Sequence, residues 1–188
     1  IEVGKDITLD DLRKEGYEAF YVAIGAQGSR KLNIPGEDNE MVESGIDFLR
    51  KVNKTENPNL ISGNVVVVGG GNVAIDVARA ALRSGAEKVH LYSLEQEAEM
   101  PASPEEVLEA KDEGIVLHCG WGPKEILEDS IVFKQCVSVK DETGRFNPNY
   151  DENVLETMQC SHVLLSIGQS IVPIQGLDID TNPNGTIK

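Results

Sequence analysis

A run of β-branched residues that leads directly into three glycines constrains the fold of this chain more than any other feature. Residues 64–68 read NVVVV, Gly69, Gly70 and Gly71 follow, and a helical pattern of small residues begins at Asn72. A second β-branched stretch, 88–92, comes after that helix. Strand, glycine turn, helix and strand in this order predict a βαβ unit with two parallel strands.

The glycine turn has the form G-x-G-x-x-A, with Gly69, Gly71 and Ala74 at the defined positions. In this pattern the first glycine permits a tight turn, the second lets a pyrophosphate approach the main chain, and the small third residue lets the helix pack closely on the strand. The N–H groups and the positive dipole end of the helix favour an anion. We therefore predict a dinucleotide-binding site made by Gly69, Gly70, Gly71, Asn72 and Val73.

The residues after the second strand indicate which nicotinamide nucleotide to expect. A carboxylate at this place hydrogen-bonds the ribose of NAD, whereas an arginine pairs with the 2′-phosphate of NADP. The chain has Ser93 and Glu95 here, and no Lys or Arg lies between 93 and 110. A phosphate beside so many acids would be repelled. We therefore expect NAD(H) to be favoured over NADP(H), with Ser93 and Glu95 as ribose contacts.

Helical and β-branched patterns elsewhere define the predicted fold class. Helices are predicted at 8–14, 44–52 and 104–113, and further strands at 19–25, 114–119, 130–139, 154–160 and 162–168. Between 130 and 168 no helix separates the strands, which indicates an antiparallel meander, with 141–152 as an exposed hairpin loop. The prediction is an α/β, Rossmann-like fold in three layers: a parallel sheet with helices on both faces and an added antiparallel β-meander.

Composition excludes several classes of protein. The formal charge of −15 over 188 residues argues against nucleic-acid binding, which needs a basic surface. The apolar runs are far shorter than the roughly 20 residues that a membrane span needs, and the first residues do not resemble a signal peptide. Three scattered cysteines predict reduced thiols in a cytoplasm, and no C-x-x-C dithiol or metal site is predicted. A first residue that is not Met suggests a chain cut from something longer.

Six segments together carry a resemblance to a known family. They are VAIGAQ with IPGED after it, GGGNVAIDVARAALRSGA, EMPASPEEVLEAKDEGI, GWGPKEI, DETGRFNP and LLSIGQ, and they cover nearly the whole chain. The chain resembles the NAD(P)H-binding domain of the FAD-dependent pyridine nucleotide-disulfide oxidoreductase superfamily. Within it, the chain is most similar to the small (beta) subunit of glutamate synthase and the flavin region of dihydropyrimidine dehydrogenase.

The resemblance implies a domain organisation. In this family the nicotinamide domain is inserted into a flavin domain, so 1–26 would be the end of a flavin-binding domain, 27–168 the NAD(P)H-binding domain, and 169–188 the start of the return. The two Ile-Gly strand ends would be the crossing points, which places Ile167, Gly168 and Gln169 on the FAD side. Hydride would pass from NADH or NADPH to FAD, and electrons would leave through an iron-sulfur domain or a partner subunit.

Two departures from the family pattern shape the expectations. NADPH-dependent members related to glutamate synthase carry two arginines where this chain has Ser93 and Leu94. The chain also lacks the earlier glycine fingerprint for FAD, so we expect it to bind no FAD by itself and to be inactive alone. Two other functions stay open on the sequence: a non-enzymatic NAD(H)-binding regulatory module, and a methyltransferase that uses the glycine turn for S-adenosylmethionine.

Overall fold

The computed structural model describes residues 1–57, 59–173 and 179–188, and the chain divides into two compact units. One unit is 31–168, and the other combines 1–30 with 169–188. In the described parts of the chain, no helix is long and apolar enough to span a membrane. The helices and strands, in chain order, are α1 (Leu9–Lys14), β1 (Gly28–Ser29), β2 (Val42–Ser44), α2 (Gly45–Lys54), β3 (Asn64–Val68), α3 (Asn72–Arg83), β4 (Lys88–Ser93), a 3-10 turn (Glu97–Glu99), α4 (Pro104–Asp112), β5 (Val116–Cys119), β6 (Trp121–Ile126), β7 (Ser130–Lys140), β8 (Phe146–Gln159), β9 (His162–Leu165) and β10 (Gln169–Ser170).

A five-stranded parallel sheet is the centre of the 31–168 unit. Its strand order is β2-β9-β3-β4-β5, and every neighbouring pair is parallel. The predicted βαβαβ unit between 64 and 119 is confirmed, because β3, β4 and β5 lie side by side with α3 and α4 as their connections. The chain leaves β3 towards β4, whereas β9 lies on the other side of β3. The direction of the connections therefore changes between β3 and β9.

The two faces of the sheet are covered by different layers. Val65 and Val67 of β3 pack in a cluster with residues of α2, α3 and α4, whereas Val66 and Val68 pack with Phe133 and other residues of the meander. Alternate residues of a strand point to opposite faces, so the three helices share one face and the antiparallel strands cover the other. The three-layer α/β fold class is confirmed. The detail of helices on both faces is not, because the meander takes the second face.

The helix boundaries follow the local capping chemistry. At α4, Ser103 is the N-cap, its hydroxyl accepts a hydrogen bond from Glu106 N at 3.4 Å, and Pro104 stands at the first position. At α1, Thr8 and Asp11 form a capping box. The sequence predicted the ends of both helices to within one or two residues.

The antiparallel region differs from the prediction in three respects. The meander is β6-β7-β8, so its third strand is β6, which was not predicted. The stretch from 162 onwards joins the parallel sheet as β9 instead. The predicted loop at 141–152 is mostly strand, since β8 begins at Phe146 and the turn is confined to 141–145. Asp141 makes that turn tight: its Oδ1 accepts hydrogen bonds from the Thr143 hydroxyl and from the N–H groups of Arg145 and Thr143, which lower the pKa of the carboxyl.

The unit formed by 1–30 and 169–188 has little regular structure in its described residues. It contains α1 and a two-residue antiparallel pair in which Gly28 and Ser29 of β1 face Ser170 and Gln169 of β10. The predicted strand at 19–25 is wrong, because these residues form neither helix nor strand. A β-branched sequence becomes a strand only where a neighbouring strand takes its hydrogen bonds, and the described residues provide none here.

Candidate nucleotide-binding site

The glycine turn lies at the carboxyl end of β3, where the strand connections change direction. Gly69 N donates a hydrogen bond to Tyr92 O at 2.9 Å, which ties the turn to β4. On the other side, Ser166 N donates to Val68 O at 2.8 Å, which ties it to the end of β9. In open α/β sheets, ligands bind in the crevice outside the carboxyl ends of the strands at this change of direction.

Gly69 has to be a glycine for two reasons. Its φ is +148°, a conformation that side chains rarely adopt. A Cβ at this position would collide with the carbonyl oxygen of Ser166 and would lie 3.2 Å from the Cβ of Ala74, which is itself completely buried. The close approach of turn, helix and neighbouring strand therefore requires the absence of a side chain at 69 and a small one at 74.

Gly71 is different, because the space beside it is open. Its φ is −95°, it is the N-cap of α3, and a Cβ built on it would meet nothing within 4 Å. It gives the helix no side-chain cap, and the first turn of α3 contains no acid. The N–H groups at the start of a helix have no partners inside the helix. Open space in front of uncapped N–H groups at a positive dipole end is suited to a phosphate.

The structure brings both Glu95 and Ser93 next to Gly70, but it gives their polar groups different surroundings. The side chain of Glu95 reaches Gly70, since a Cβ on Gly70 would lie 2.6 Å from Glu95 Oε2. Ser93 is 1% exposed, and its hydroxyl donates to the carbonyl oxygen of Glu95 at 2.9 Å. Leu94 turns towards Gly122 of β6. Glu95 therefore presents a carboxylate beside the turn, whereas the Ser93 hydroxyl, although Ser93 also adjoins Gly70, is used to shape the segment.

Two hydrogen bonds that the sequence did not predict join the turn to the start of α4. Ala102 N donates to Gly70 O at 3.0 Å, and Ser103 N donates to Asn72 Oδ1 at 2.8 Å. Asn72 was predicted to contact the cofactor, and the structure gives its side-chain oxygen a partner within the protein. A sequence signal for this contact is absent, because residues 72 and 103 are far apart along the chain.

The remaining predicted site residues, 167–169, lie at the boundary of the two units. Ile167 is partly buried against the meander-side cluster, and Gly168 is exposed with a φ of +108°. Both belong to the 31–168 unit, whereas Gln169 opens β10 in the other unit. Gly25, in the segment 22–27 that contains the other Ile-Gly pair, also has a positive φ, +63°.

A partly buried polar cluster lies behind the turn, between β4, β5 and the meander. The ring of Tyr92 is stacked between Phe133 at 3.8 Å and His118 at 4.2 Å, measured between centroids. Burial raises the pKa of Tyr92, and the hydrogen bond that its hydroxyl donates to Glu156 Oε1 at 2.5 Å raises it further. His90 Nδ1 and His118 Nε2 are 2.9 Å apart and share a hydrogen bond. Tyr92 thus anchors the turn through its carbonyl oxygen and the meander through its ring.

The histidines of this cluster are held neutral. Burial lowers the pKa of His90, and the nearby His118 lowers it further. Burial also lowers the pKa of His118, against the opposing effect of Glu156. In the described residues no three His, Cys, Asp or Glu side chains are grouped so that they could hold a metal ion. The cluster therefore joins layers of the protein, and the candidate ligand site is the glycine turn.

Comparisons with known proteins connect this geometry to a family. The family model described as pyridine nucleotide-disulphide oxidoreductase matches residues 1–188. The chain is 37% identical over 195 residues to the NADP(+)-dependent formate dehydrogenase subunit beta of Moorella thermoacetica, covering 98% of this chain and 27% of that protein. It is 31% identical over 183 residues to the glutamate synthase [NADPH] small chain of Azospirillum brasilense, covering 89% of this chain and 38% of that one.

A solved structure shows the same fold. FprA of Mycobacterium tuberculosis, in complex with NADPH, superposes with a TM-score of 0.81 at 24% identity, and the match covers 100% of this chain and 59% of FprA. The chain thus spans about a quarter to two fifths of the length of the two relatives above.

Proposed function

The chain belongs to the pyridine nucleotide-disulphide oxidoreductase family, and we propose that it is the nucleotide-binding part of a flavin-dependent enzyme of that family. The predicted resemblance, including that to the glutamate synthase small chain, is confirmed. In this proposal the protein takes up NADH or NADPH and passes hydride to FAD. The observation that carries it is the open space at Gly71, in front of the uncapped N-terminus of α3 and beside the change of strand direction.

The residues of the turn fit the diphosphate of a dinucleotide. Asn72 and Val73 stand at the first turn of α3, where N–H groups have no partner inside the helix, and Gly71 leaves open space next to them. Gly69 and Ala74 keep helix and strand close enough to hold the turn in place. Glu95, beside Gly70, is positioned to accept hydrogen bonds from ribose hydroxyls. When bound, the nicotinamide ring supplies the hydride, and the chain's own residues bind and orient it.

We propose further that this chain prefers NADH, although both relatives above carry NADP in their names. The support is the carboxylate of Glu95 beside the turn, together with the absence of any Lys or Arg from 93 to 110. Lys111, the first cation beyond, is paired with Glu97 at 2.8 Å. A 2′-phosphate next to Glu95 would meet a like charge, and the segment 93–110 supplies no Lys or Arg to offset it.

Calorimetric titration of the purified protein with NADH, NADPH and S-adenosylmethionine tests these two proposals. Binding of NADH, weaker binding of NADPH and no binding of S-adenosylmethionine are expected. Binding of S-adenosylmethionine alone would refute the oxidoreductase proposal. Tighter binding of NADPH than of NADH would refute the cofactor preference and leave the family function in place.

A charge-removing variant sharpens the test of cofactor preference. In Glu95→Gln the carboxylate is lost and the shape is kept, so NADH should bind about 10-fold more weakly and the difference from NADPH should narrow. Glu99→Gln, an exposed acid of the same segment, is the matched control and should leave both affinities unchanged. Equal losses of NADH affinity in the two variants would show that Glu95 does not contact the ribose.

The flavin and electron-transfer roles extend the proposal beyond this chain. We propose that 1–26 and 169–188 belong to a flavin-binding domain around the 27–168 nucleotide domain, with Ile167, Gly168 and Gln169 towards FAD. The chain alone would bind no FAD, and electrons would pass on to an iron-sulfur domain or partner subunit. The three free cysteines support a cytoplasmic setting. Hydride transfer, followed as bleaching of the flavin spectrum on adding NADH to the whole protein, would separate the enzyme from a regulatory module that only binds NAD(H).

A further inference from the structure

We propose that Asn72 is a positioning residue that clamps the segment after β4 onto the glycine turn. The clamp consists of two hydrogen bonds, from Ala102 N to Gly70 O at 3.0 Å and from Ser103 N to Asn72 Oδ1 at 2.8 Å. This deepens the proposed function, since the segment that it holds, 94–103, carries the carboxylate assigned to the ribose. Asn72 therefore acts on nucleotide binding through Ser103.

The clamp holds the second end of the 94–103 segment, and other hydrogen bonds hold its first end. At its start, the carbonyl oxygen of Glu95 accepts hydrogen bonds from the Ser93 hydroxyl at 2.9 Å and from Gly120 N at 3.0 Å. Its middle is tied to α4 by the ion pair between Lys111 and Glu97. Both ends of the segment thus meet the structure within reach of Gly70, one through the Glu95 side chain and one through Ala102.

Without the clamp, the second end would still pack through Met100 and Ala102, which are 9% and 6% exposed in the helix-side core, but it would lose its hydrogen bonds to the turn. Residues 96–99 of the segment are exposed, and a surface loop of this kind is free to move unless it is hydrogen-bonded. Ordering it on binding would reduce affinity, because the ligand would have to offset the lost conformational freedom. Ordering it in advance keeps Glu95 at the turn before the nucleotide arrives.

The side chain of Asn72 is suited to this role in the geometry observed. Its oxygen is used by Ser103, and among the described residues its amide nitrogen has no partner. The oxygen sets the orientation of the whole amide group, because both atoms lie in one plane. An aspartate would keep the acceptor for Ser103 N, and an alanine would remove it.

Two pairs of variants isolate the clamp. Ser103→Pro removes the N–H that donates to Asn72, and the φ of −65° at Ser103 is the value that proline imposes. Ser103→Ala is its matched control, since it removes the same helix cap but keeps the N–H. Asn72→Ala removes the acceptor and Asn72→Asp retains it. Hydrogen exchange of 94–103 is measured without nucleotide, and the dissociation constant for NADH is measured by calorimetry.

The clamp predicts a specific pattern across these variants. Exchange of 94–103 should be faster in Asn72→Ala and Ser103→Pro than in wild type, and close to wild type in Asn72→Asp. NADH should bind about 3- to 10-fold more weakly to Asn72→Ala and to Ser103→Pro than to Ser103→Ala. The double variant of Asn72→Ala with Ser103→Pro should bind NADH no more weakly than either single variant, because each change breaks the same hydrogen bond.

Other patterns overturn the proposal. Unchanged exchange in Asn72→Ala would show that the bond holds nothing in place. If the losses of NADH affinity from the two changes multiply in the double variant, Asn72 contacts the nucleotide directly. Failure of the wild type to bind either nucleotide would refute the proposed function, and the exchange measurement would still decide on the clamp.

Discussion

The open space at Gly71 makes the site testable without disturbing the fold. Replacing Gly71 with valine places a branched side chain where the structure has nothing within 4 Å of the Cβ, at an ordinary φ of −95°. The folding free energy should change by no more than about 1 kcal/mol, the usual difference between residues at an N-cap. The side chain would, however, stand in front of the first N–H groups of α3.

The expected loss of affinity follows from the hydrogen bonds that the valine blocks. A bond to a charged group contributes about 1.5–3 kcal/mol, so losing two costs about 3–6 kcal/mol, which is at least about 100-fold in affinity. Gly71→Ala, with a smaller side chain, should lose less. Calorimetric titration with NADH gives the affinity, and thermal unfolding gives the stability.

Matched controls decide between a blocked site and a damaged protein. Ser138→Val adds a β-branched side chain at an exposed position of β7 and should leave NADH binding and melting temperature unchanged. Wild-type affinity in Gly71→Val would refute the placement of the diphosphate. A large drop in its melting temperature would refute the argument that position 71 is free of steric constraint.

Three further predictions concern stability and reactivity. Gly69→Ala should lower the free energy of unfolding by more than about 2 kcal/mol, because its Cβ would meet the backbone of Ser166 at a φ of +148°, and an unchanged denaturation midpoint would contradict this. The free energy of unfolding should be highest above pH 6.5, because burial lowers the folded-state pKa of His90 and His118 below that of the unfolded chain. Below pH 6.5 it should fall by up to about 1.4 kcal/mol per pH unit for each histidine, and a urea midpoint that stays constant from pH 7.5 to 5.5 would rule this out. Burial also raises the pKa of Cys160 to about 12, so alkylation at pH 8, read by mass spectrometry, should modify it only in denaturant, and rapid labelling of the native protein would show that the thiol is accessible.

The local part of the site was predictable because its signals lie within one stretch of chain. β3, the glycine turn and α3 were predicted from residues 64–84, and the structure has them at 64–83. A change of hydrophobic period from 2 to 3.6 and glycines at the junction need no distant partner to be recognised. Part of the requirement for glycine at 69 is also local, since Ala74 is only five residues away, whereas the contact with the Ser166 carbonyl oxygen depends on the tertiary structure.

Contacts between distant residues were not predicted. Ser93 and Glu95 were both expected at the ribose, which stays a prediction, and only the tertiary structure shows that Ser93 is buried with its hydroxyl on the Glu95 carbonyl oxygen while the Glu95 side chain reaches Gly70. The contact between Asn72 and Ser103 joins residues 31 positions apart. Nothing in the local pattern of either residue encodes the other.

The sequence by itself determined the unit formed by β3, the glycine turn and α3, because the periodicity of apolar residues and the absence of side chains at three successive glycines act over a few bonds. Tertiary structure alone decided that β9 enters the parallel sheet between β2 and β3, that the meander covers one face, and that 19–25 forms no strand. The physical reason is that a strand is completed by hydrogen bonds to another strand, and the choice of that partner depends on residues far away along the chain.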